Sequence, residues 1–112
     1  MFITYDDFLK VDMRVGKIVE VQVFERARNP SYKVKVDFGE EIGTRWSSVQ
    51  ARRDYTIEKM MGRDVIAVVN FAPKNIAGFL SEVLILGVDA EDGGLSLLEP
   101  SRMPVASGKR VY

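Results

Sequence analysis

The chain contains neither cysteine nor histidine among its 112 residues. The lack of cysteine excludes disulfides and thiolate nucleophiles, and the lack of histidine excludes an imidazole general base. The usual zinc-binding side chains are missing as well, so we expect no metal site, and no pattern in the sequence indicates a cofactor. A chain without cysteine fits a reducing compartment, and we expect a cytoplasmic location.

Long apolar runs and an excess of one charge are also missing. No stretch approaches the roughly 20 apolar residues that cross a bilayer. Residues 1–10 carry Asp6 and Asp7 in place of an apolar signal core. We therefore expect neither membrane insertion nor a secretory signal. The 16 basic and 16 acidic residues cancel, so attraction to a polyanion has to come from local clustering.

Acidic pairs and serines are the remaining groups that could carry catalysis. The acidic pairs lie at a predicted helix start or in predicted turns: Asp6–Asp7, Glu40–Glu41 and Glu91–Asp92. Acids at such positions typically face solvent or a helix dipole. Ser47 and Ser48 have no histidine to activate them. We therefore predict that the protein is not an enzyme.

Apolar patterning predicts a β-rich single domain over residues 1–112. The strand-like segments are 15–24, 32–38, 42–49, 65–69, 83–88 and 95–98. Ile18 falls on the polar face of the first segment, which predicts a bend or bulge that the nearby Gly16 permits. Short helices are predicted after Thr4, a typical N-cap, and over residues 54–61.

The order of these elements predicts an all-β fold, a five-stranded OB barrel with short flanking helices. A bent first strand and a helix before the fourth strand favour this barrel over a β-sandwich, the competing architecture. We expect these side chains inside: Val21, Val34, Val36, Val68, Ile85 and Leu97. The N-terminal helix is expected to close one end of the core with Phe8 and Leu9.

Positive charge is concentrated in the middle of the chain. Residues 26–53 include seven basic and three acidic side chains, an excess of four. This excess lies on the second and third predicted strands, which OB barrels use to bind oligonucleotides. Cations beside an exposed aromatic ring suit single-stranded nucleic acid. The alternative is a solvated charged face with Trp46, the single tryptophan, in the core.

Trp46, Ser48 and Gln50 share one face of the third predicted strand. Burying two polar side chains without partners costs about 1–3 kcal/mol each, so this face favours a ligand groove over the core. Asn70 ends the next buried strand, where its amide can bond the third strand or a ligand. The loop 70–82 is either packed on the barrel or an exposed rim. The predicted binding residues are Arg14, Lys33, Arg45, Trp46, Ser48, Gln50, Arg52, Asn70, Lys74 and Ser81.

Two motifs resemble the tRNA-binding domain family, OB-fold modules appended to some methionyl-, tyrosyl- and phenylalanyl-tRNA synthetases. DMRVGKIV at 12–19 resembles the D-x-R-V-G-x-I opening of the family, and NFAPKNIAGFLSE at 70–82 resembles its N-[LF]-x-P-[KR]-x-[IM]-x-G-x-x-S signature. MGR at 61–63 and GKRV at 108–111 fit as well. The resemblance covers about 12–111 and implies the same barrel.

Two segments depart from the common family pattern. ARNPSYK at 27–33 replaces H-P-x-A-[DE]-K-L, and WSSVQA at 46–51 replaces V-S-G-L. Both variants resemble the stand-alone CsaA branch, described as homodimeric cytoplasmic export chaperones that hold unfolded precursor proteins.

This resemblance implies a homodimer that binds unfolded precursor proteins, with tRNA as a second ligand of the same face. One alternative is a stand-alone tRNA-binding module that acts in trans with tRNA or synthetases. Another is a structural adaptor with neither activity. For the dimer, we expect contacts from apolar groups after Val83 and pairing of the tail Met103–Tyr112 across a two-fold axis.

Overall fold

The computed structural model describes all 112 residues. The helical segments are α1 (Tyr5–Leu9), α2 (Gly39–Ile42) and α3 (Ile57–Met60). The strands are β1 (Met13–Phe24), β2 (Ser31–Asp37), β3 (Thr44–Val49), β4 (Asp64–Val68), β5 (Lys74–Ile76), β6 (Phe79–Ser81), β7 (Leu84–Ile85), β8 (Gly87–Asp89) and β9 (Leu95–Leu97). None of the helices has the length and apolar character needed to span a membrane.

Five strands form one antiparallel sheet in the order β3-β2-β1-β4-β7. The two outermost strands of this sheet, β3 and β7, approach each other. The Ser47 hydroxyl of β3 donates to the carbonyl of Val83, just before β7, at 2.8 Å. The sheet therefore curls into a nearly closed barrel, and two hairpins, β5–β6 and β8–β9, flank it. The predicted all-β, five-stranded OB barrel is confirmed.

β1 is bent at the predicted place. Its first half pairs with β4 and its second half with β2, and the register shifts between Ile18 and Glu20. Ile18 is fully buried, whereas Val19 beside it is 40% exposed. The shift is a β-bulge that lets one strand serve both sides of the barrel, as the break in apolar alternation predicted.

The barrel interior matches the alternation of the strands. Five of the side chains expected inside are buried: Val34, Val36, Val68, Ile85 and Leu97. Val21 is half-buried and packs against the core. Met60 of α3 and Phe38 are fully buried among the core side chains.

The prediction that the N-terminal helix closes the core is wrong. Thr4 and Asp7 form the expected capping box, but α1 buries no residue and Leu9 is exposed. Met60 of α3 fills the core instead. Helix α3 begins later than the predicted start at residue 54, because Thr56 is its N-cap and accepts from the amide of Lys59.

The C-terminal tail pairs within its own chain. Val15 donates its amide to the carbonyl of Lys109 at 2.9 Å and accepts from the amide of Gly108 at 2.7 Å. Val111 donates to the carbonyl of Met13 at 2.9 Å. Residues 108–111 of the tail therefore pair with the start of β1 in the same chain, and pairing of the tail across a two-fold axis stays a prediction.

Candidate functional site

The segment 70–82 forms a hairpin of β5 and β6 that packs on the outer face of the barrel. At its turn, the side chain of Asn75 accepts from the amide of Gly78 at 2.9 Å. Gly78 has φ +86°, a conformation that glycine adopts without steric cost. The structure combines the two alternatives for this segment: Phe79, Ser81 and Glu82 are partly buried beside β3, whereas Lys74 and Asn75 are exposed at the rim.

The hairpin is held on the barrel by an outer aromatic cluster of Phe24, Trp46 and Phe79. The ring of Phe79 meets Phe24 edge-on at 5.4 Å and Trp46 edge-on at 6.1 Å between centroids. Phe24 is only 2% exposed, although it lies outside the barrel core. Edge-on aromatic pairs add to the free energy gained by burial, so the cluster acts as a small second core.

Trp46 lies on the outer face of the barrel. Its neighbours on β3, Ser47 and Val49, are the buried ones, and Trp46 itself is half-buried beside Phe79. The alternation predicted that Trp46 shares an outward face with Ser48 and Gln50, and the structure has this arrangement. Its ligand-binding role stays a prediction.

Lys33 of β2 covers the outer aromatic cluster. Its ammonium nitrogen lies 4.9 Å from the centroid of the Phe24 ring and 5.1 Å from that of Phe79. A cation above aromatic rings is attracted to their electron-rich faces. The charge of Lys33 therefore helps to hold the β5–β6 hairpin on the barrel and also adds to the local positive potential.

Side chains join the hairpin to the edge of β3. The amide of Trp46 donates to the Glu82 carboxylate at 3.0 Å, and the amide of Glu82 donates back to the carbonyl of Trp46 at 2.8 Å. The amide of Ser48 donates to the Ser81 hydroxyl at 3.0 Å. Ser81 and Glu82 thus occupy part of this edge in place of a regular partner strand.

A cleft of about 470 Å³ opens between β3, the loop after β1 and the hairpin. Its lining mixes apolar and polar side chains, and it includes Arg28, Ser48, Gln50, Phe71, Lys74, Ile76, Ser81 and Leu84. Its volume is in the range of pockets that hold small ligands or side chains. This cleft is the candidate binding site.

The structure places the predicted binding residues in four different surroundings. Four of them line the cleft: Ser48, Gln50, Lys74 and Ser81. Lys33 and Trp46 lie next to it in and above the outer aromatic cluster. Arg45 donates to the carbonyl of Thr44 at 3.0 Å, and Arg52 is exposed in the turn after β3. Arg14 and Asn70 lie elsewhere, against the N-terminal segment and the tail.

Comparison with known proteins identifies the family. The family model of the tRNA binding domain matches residues 13–109. The chain belongs to the tRNA-binding domain family. The CsaA chaperone protein of Picrophilus torridus superposes with a TM-score of 0.91 at 45% identity, covering 99% of this chain and 100% of that one. The chaperone CsaA of Bacillus anthracis also gives 0.91, at 39% identity over 100% of both chains. The predicted resemblance to the CsaA branch is confirmed.

The tRNA-binding domain also occurs inside much larger proteins. The methionine–tRNA ligase of Chlorobium phaeobacteroides is 36% identical over 109 residues, which is 97% of this chain and 15% of the ligase. The chain thus spans less than a sixth of the length of that relative. The family likeness concerns this one domain and not the rest of the ligase.

The opening motif of the tRNA-binding domain serves the fold in this chain. Arg14 donates to the Asp12 carboxylate at 2.6 Å and to the carbonyl of Gly108 at 3.0 Å. Arg110 lies 3.6 Å from the same carboxylate. The guanidinium of Arg14 is mostly covered and already has partners, so the motif ties the start of β1 to the tail.

Asn70, in the second family motif, also fastens the N-terminal segment. Its carbonyl oxygen accepts from the amide of Asp12 at 3.0 Å, and its amide group donates to the carbonyl of Lys10 at 2.7 Å. The sequence predicted that the Asn70 amide bonds either the third strand or a ligand. The first of these alternatives is wrong, because the amide bonds residues 10 and 12. The backbone of residues 10–12 lies beside the end of β4, and no pattern in the sequence predicts this contact.

Asp12 is expected to make the free energy of unfolding depend on pH. Its hydrogen bond with Arg14, and the charges of Arg14 and Arg110, lower the pKa of the Asp12 carboxyl. Because the folded-state pKa is below the unfolded one, this contribution is present above the unfolded value of about 4 and is lost as pH falls through the folded value. Asp12→Asn should lower the free energy of unfolding at pH 7 by about 1 kcal/mol. It should also flatten the pH dependence between pH 6 and 3, followed by urea titration.

Glu91→Gln is the matched control for Asp12→Asn. Glu91 lies exposed in the turn after β8 and forms no ion pair. Its substitution should leave both the stability and its pH dependence close to those of the unchanged protein. Equal effects of the two substitutions would contradict the role given to Asp12.

Sequence reasoning did not find three of the site residues. Phe24 is the last residue of a strand pattern, and its burial against Phe79 depends on the β5–β6 hairpin, which the apolar pattern does not predict. In the sequence Glu82 resembles any acidic residue of an exposed loop, and its bond to the amide of Trp46 is seen only in the structure. Arg28 was counted in the basic excess but not placed in the site, although it lines the cleft. The family motif specifies Ser81 but no residue at position 82, so it gave no signal for Glu82.

Proposed function

We propose that the protein is a CsaA-like chaperone whose cleft holds short apolar segments of unfolded precursor proteins. The observation that carries this proposal is the composition of the cleft. Phe71, Ala72, Ile76, Val83 and Leu84 supply apolar surface, and Ser48, Gln50 and Ser81 supply hydrogen-bonding groups. Phe71 and Leu84 are largely exposed, and exposed apolar groups around a concave site are typical of binding surfaces.

The state of the cations also favours a peptide over RNA as the main ligand. Three of the cations predicted to bind phosphate have partners within the chain. Arg14 is paired with Asp12, Lys33 lies over two rings, and Arg45 bonds a carbonyl. Net charge is zero, so no overall field of the protein adds to the attraction that the remaining cations exert on a polyanion.

Leu84→Glu should weaken binding of a reduced and alkylated, permanently unfolded protein by about tenfold, or ~1.4 kcal/mol. A carboxylate there places charge on the apolar wall of the cleft, where Leu84 is 48% exposed. The measurement is fluorescence anisotropy of the labelled unfolded protein. Val19→Glu is the control, because Val19 is similarly exposed, at 40%, and lies outside the cleft. Equal weakening by both would exclude the cleft as the binding site.

tRNA is the second candidate ligand. Arg28 and Lys74 stand in two different walls of the cleft, and the chain belongs to the tRNA-binding domain family. Bulk tRNA titrated at two salt concentrations should bind weakly and with a steep salt dependence. Arg28→Glu combined with Lys74→Glu should flatten that dependence. If RNA and peptide share the cleft, the unfolded protein should compete with tRNA.

The proposal includes a homodimer in the cytoplasm. Several apolar side chains outside the cleft are exposed: Val88, Leu98, Met103 and Tyr112. A second copy would cover them by an isologous contact. Sedimentation at micromolar concentration should give a dimer, and Val88→Glu combined with Leu98→Glu should shift it to the monomer. A monomeric unchanged protein under these conditions would rule out the dimer.

A further inference from the structure

The ion pairs of the chain lie away from the cleft. The cations that form them are Lys10, Arg14, Lys17, Arg63 and Arg110. None of these five side chains lines the cleft. Arg28 and Lys74, the two cations of the cleft lining, are exposed and form no ion pair. Their charges are therefore free to meet a charged group of a ligand.

A third unpaired cation lies beside the hairpin. Arg28 belongs to the loop after β1, and Lys74 is the first residue of β5. From the same loop, a guanidinium nitrogen of Arg26 lies 3.7 Å from the point where a Cβ of Gly78 would be, at the hairpin turn. Arg26 is exposed and has no ion-pair partner either. The loop and the hairpin thus carry three unpaired cations.

Glu82 is the one carboxylate in the lining of the cleft. It is held against β3, because one of its oxygens accepts from the amide of Trp46 at 3.0 Å and its own amide donates to the carbonyl of Trp46 at 2.8 Å. It forms no ion pair with Arg28 or Lys74. The cleft therefore carries more positive than negative charge, although the whole chain is neutral.

Apolar side chains lie in the same cleft as these cations. Phe71 is 57% exposed and Leu84 is 48% exposed, and the partly buried Ile76 lies with them in the lining. A large apolar side chain of a ligand gains free energy by removing this surface from water. The cleft thus offers apolar surface and unpaired cations to one ligand.

We propose that the cleft selects unfolded segments in which an acidic residue is next to large apolar residues. An apolar side chain packs on Phe71, Ile76 and Leu84, and the neighbouring carboxylate lies between Arg28 and Lys74. Exposed ion pairs add little free energy, so the apolar contact supplies most of the affinity and the carboxylate supplies the preference. This inference rests on the proposed peptide-binding function and names the class of segment that the cleft prefers.

A peptide with a single carboxylate fits this charge arrangement better than a nucleic acid does. A phosphate backbone carries a negative charge at every nucleotide, so it would bring phosphates toward Glu82 as well as toward Arg28 and Lys74. A peptide places its one charge at the cations and its apolar side chains on Phe71 and Leu84, away from repulsion by the carboxylate.

The test uses three seven-residue peptides with blocked ends, labelled for fluorescence anisotropy. Each has the order serine, leucine, phenylalanine, X, leucine, phenylalanine and serine, where X is glutamate, glutamine or lysine. Blocked ends remove the terminal charges, so only X changes the charge of the peptide. At low salt the glutamate peptide should bind about fivefold more tightly than the glutamine peptide, the effect of two exposed ion pairs. The lysine peptide should bind more weakly than the glutamine peptide.

Arg28→Gln combined with Lys74→Gln should reduce the difference between the glutamate and glutamine peptides to less than about twofold. The affinity for the glutamine peptide should stay close to that of the unchanged protein. Arg102→Gln combined with Lys109→Gln is the matched control, because both side chains are exposed, form no ion pair and lie outside the cleft lining. This control should keep the full difference.

Equal binding of the glutamate and glutamine peptides, or a difference that persists without the charges of Arg28 and Lys74, would overturn this inference and leave the proposed function intact. A seven-nucleotide oligouridylate that binds more tightly than the glutamate peptide and displaces it would assign the two cations to RNA and overturn the inference as well. If neither the peptides nor the alkylated unfolded protein bind, the proposed function itself fails, and this inference with it.

Discussion

Gly16→Ala is expected to lower the free energy of unfolding by about 2–3 kcal/mol, a large effect for one methyl group. A Cβ at this position would lie 2.5 Å from Cγ1 of Val36 and 2.7 Å from the ring of Phe38. Both neighbours are fully buried. Because a close-packed core leaves them no room to retreat, the strand and the core have to shift apart. Urea titration followed by far-ultraviolet circular dichroism measures the change.

Gly87→Ala is the informative control for Gly16→Ala. Its added Cβ would also come within 2.5 Å of a neighbour, but that atom is the end of the flexible, half-buried Leu95 side chain. Leu95 can rotate away, and the backbone oxygen of Ser96, 3.1 Å from the added Cβ, has to give by only a few tenths of an ångström, so we expect a loss of about 1 kcal/mol, well below that of Gly16→Ala. A similar small loss for Gly16→Ala would contradict the view that this glycine is kept for close packing of β1 on Val36 and Phe38.

The barrel was predictable because the alternation of apolar residues along each strand shows which side chains are buried. From Tyr32 onward β2 alternates, and it buries Tyr32, Val34 and Val36. In β1 a single misplaced apolar residue, Ile18, indicated the bulge. Each signal is contained within a few neighbouring residues, where the side-chain period of a strand sets which face is buried.

The site was harder to predict because its contacts join distant parts of the chain. Arg14 was assigned to RNA from its charge, yet it bonds Gly108, 94 positions away. Asn70 bonds Asp12, 58 positions away. No local pattern shows which cation or amide will meet such a partner. Of the four predicted residues that line the cleft, Ser48 and Gln50 follow from strand alternation, whereas Lys74 and Ser81 belong to the family motif at 70–82.

The position of the hairpin depends on a few side chains outside the barrel core. The hairpin pairs only with itself in the sheet topology, as the two-stranded β5–β6 sheet. Phe79 connects it to Phe24 and Trp46, and Ser81 and Glu82 connect it to β3. The hairpin also supplies Lys74, Ile76 and Ser81 to the cleft. Loss of the contact between Phe79 and its two aromatic neighbours should therefore displace the residues that the hairpin supplies to the cleft.

Phe79→Ala is expected to lower the free energy of unfolding by about 2 kcal/mol, because it removes a half-buried ring that contacts two others. Trp46 loses its cover, so its fluorescence emission should move to longer wavelength. The hairpin wall of the cleft loses its anchor, and the affinity for the alkylated unfolded protein should fall by about tenfold. Fluorescence spectra and anisotropy titrations on the same sample measure both effects.

Leu80→Ala separates this role from a general effect of shortening an apolar side chain in the hairpin. Leu80 follows Phe79 in β6, lies on the opposite face and is 54% exposed. Its truncation should change stability by less than about 0.5 kcal/mol and leave the emission of Trp46 where it was. Leu80 is absent from the lining of the cleft, so binding should also be unchanged. If Phe79→Ala leaves emission and affinity as Leu80→Ala does, the outer aromatic cluster does not position the binding site.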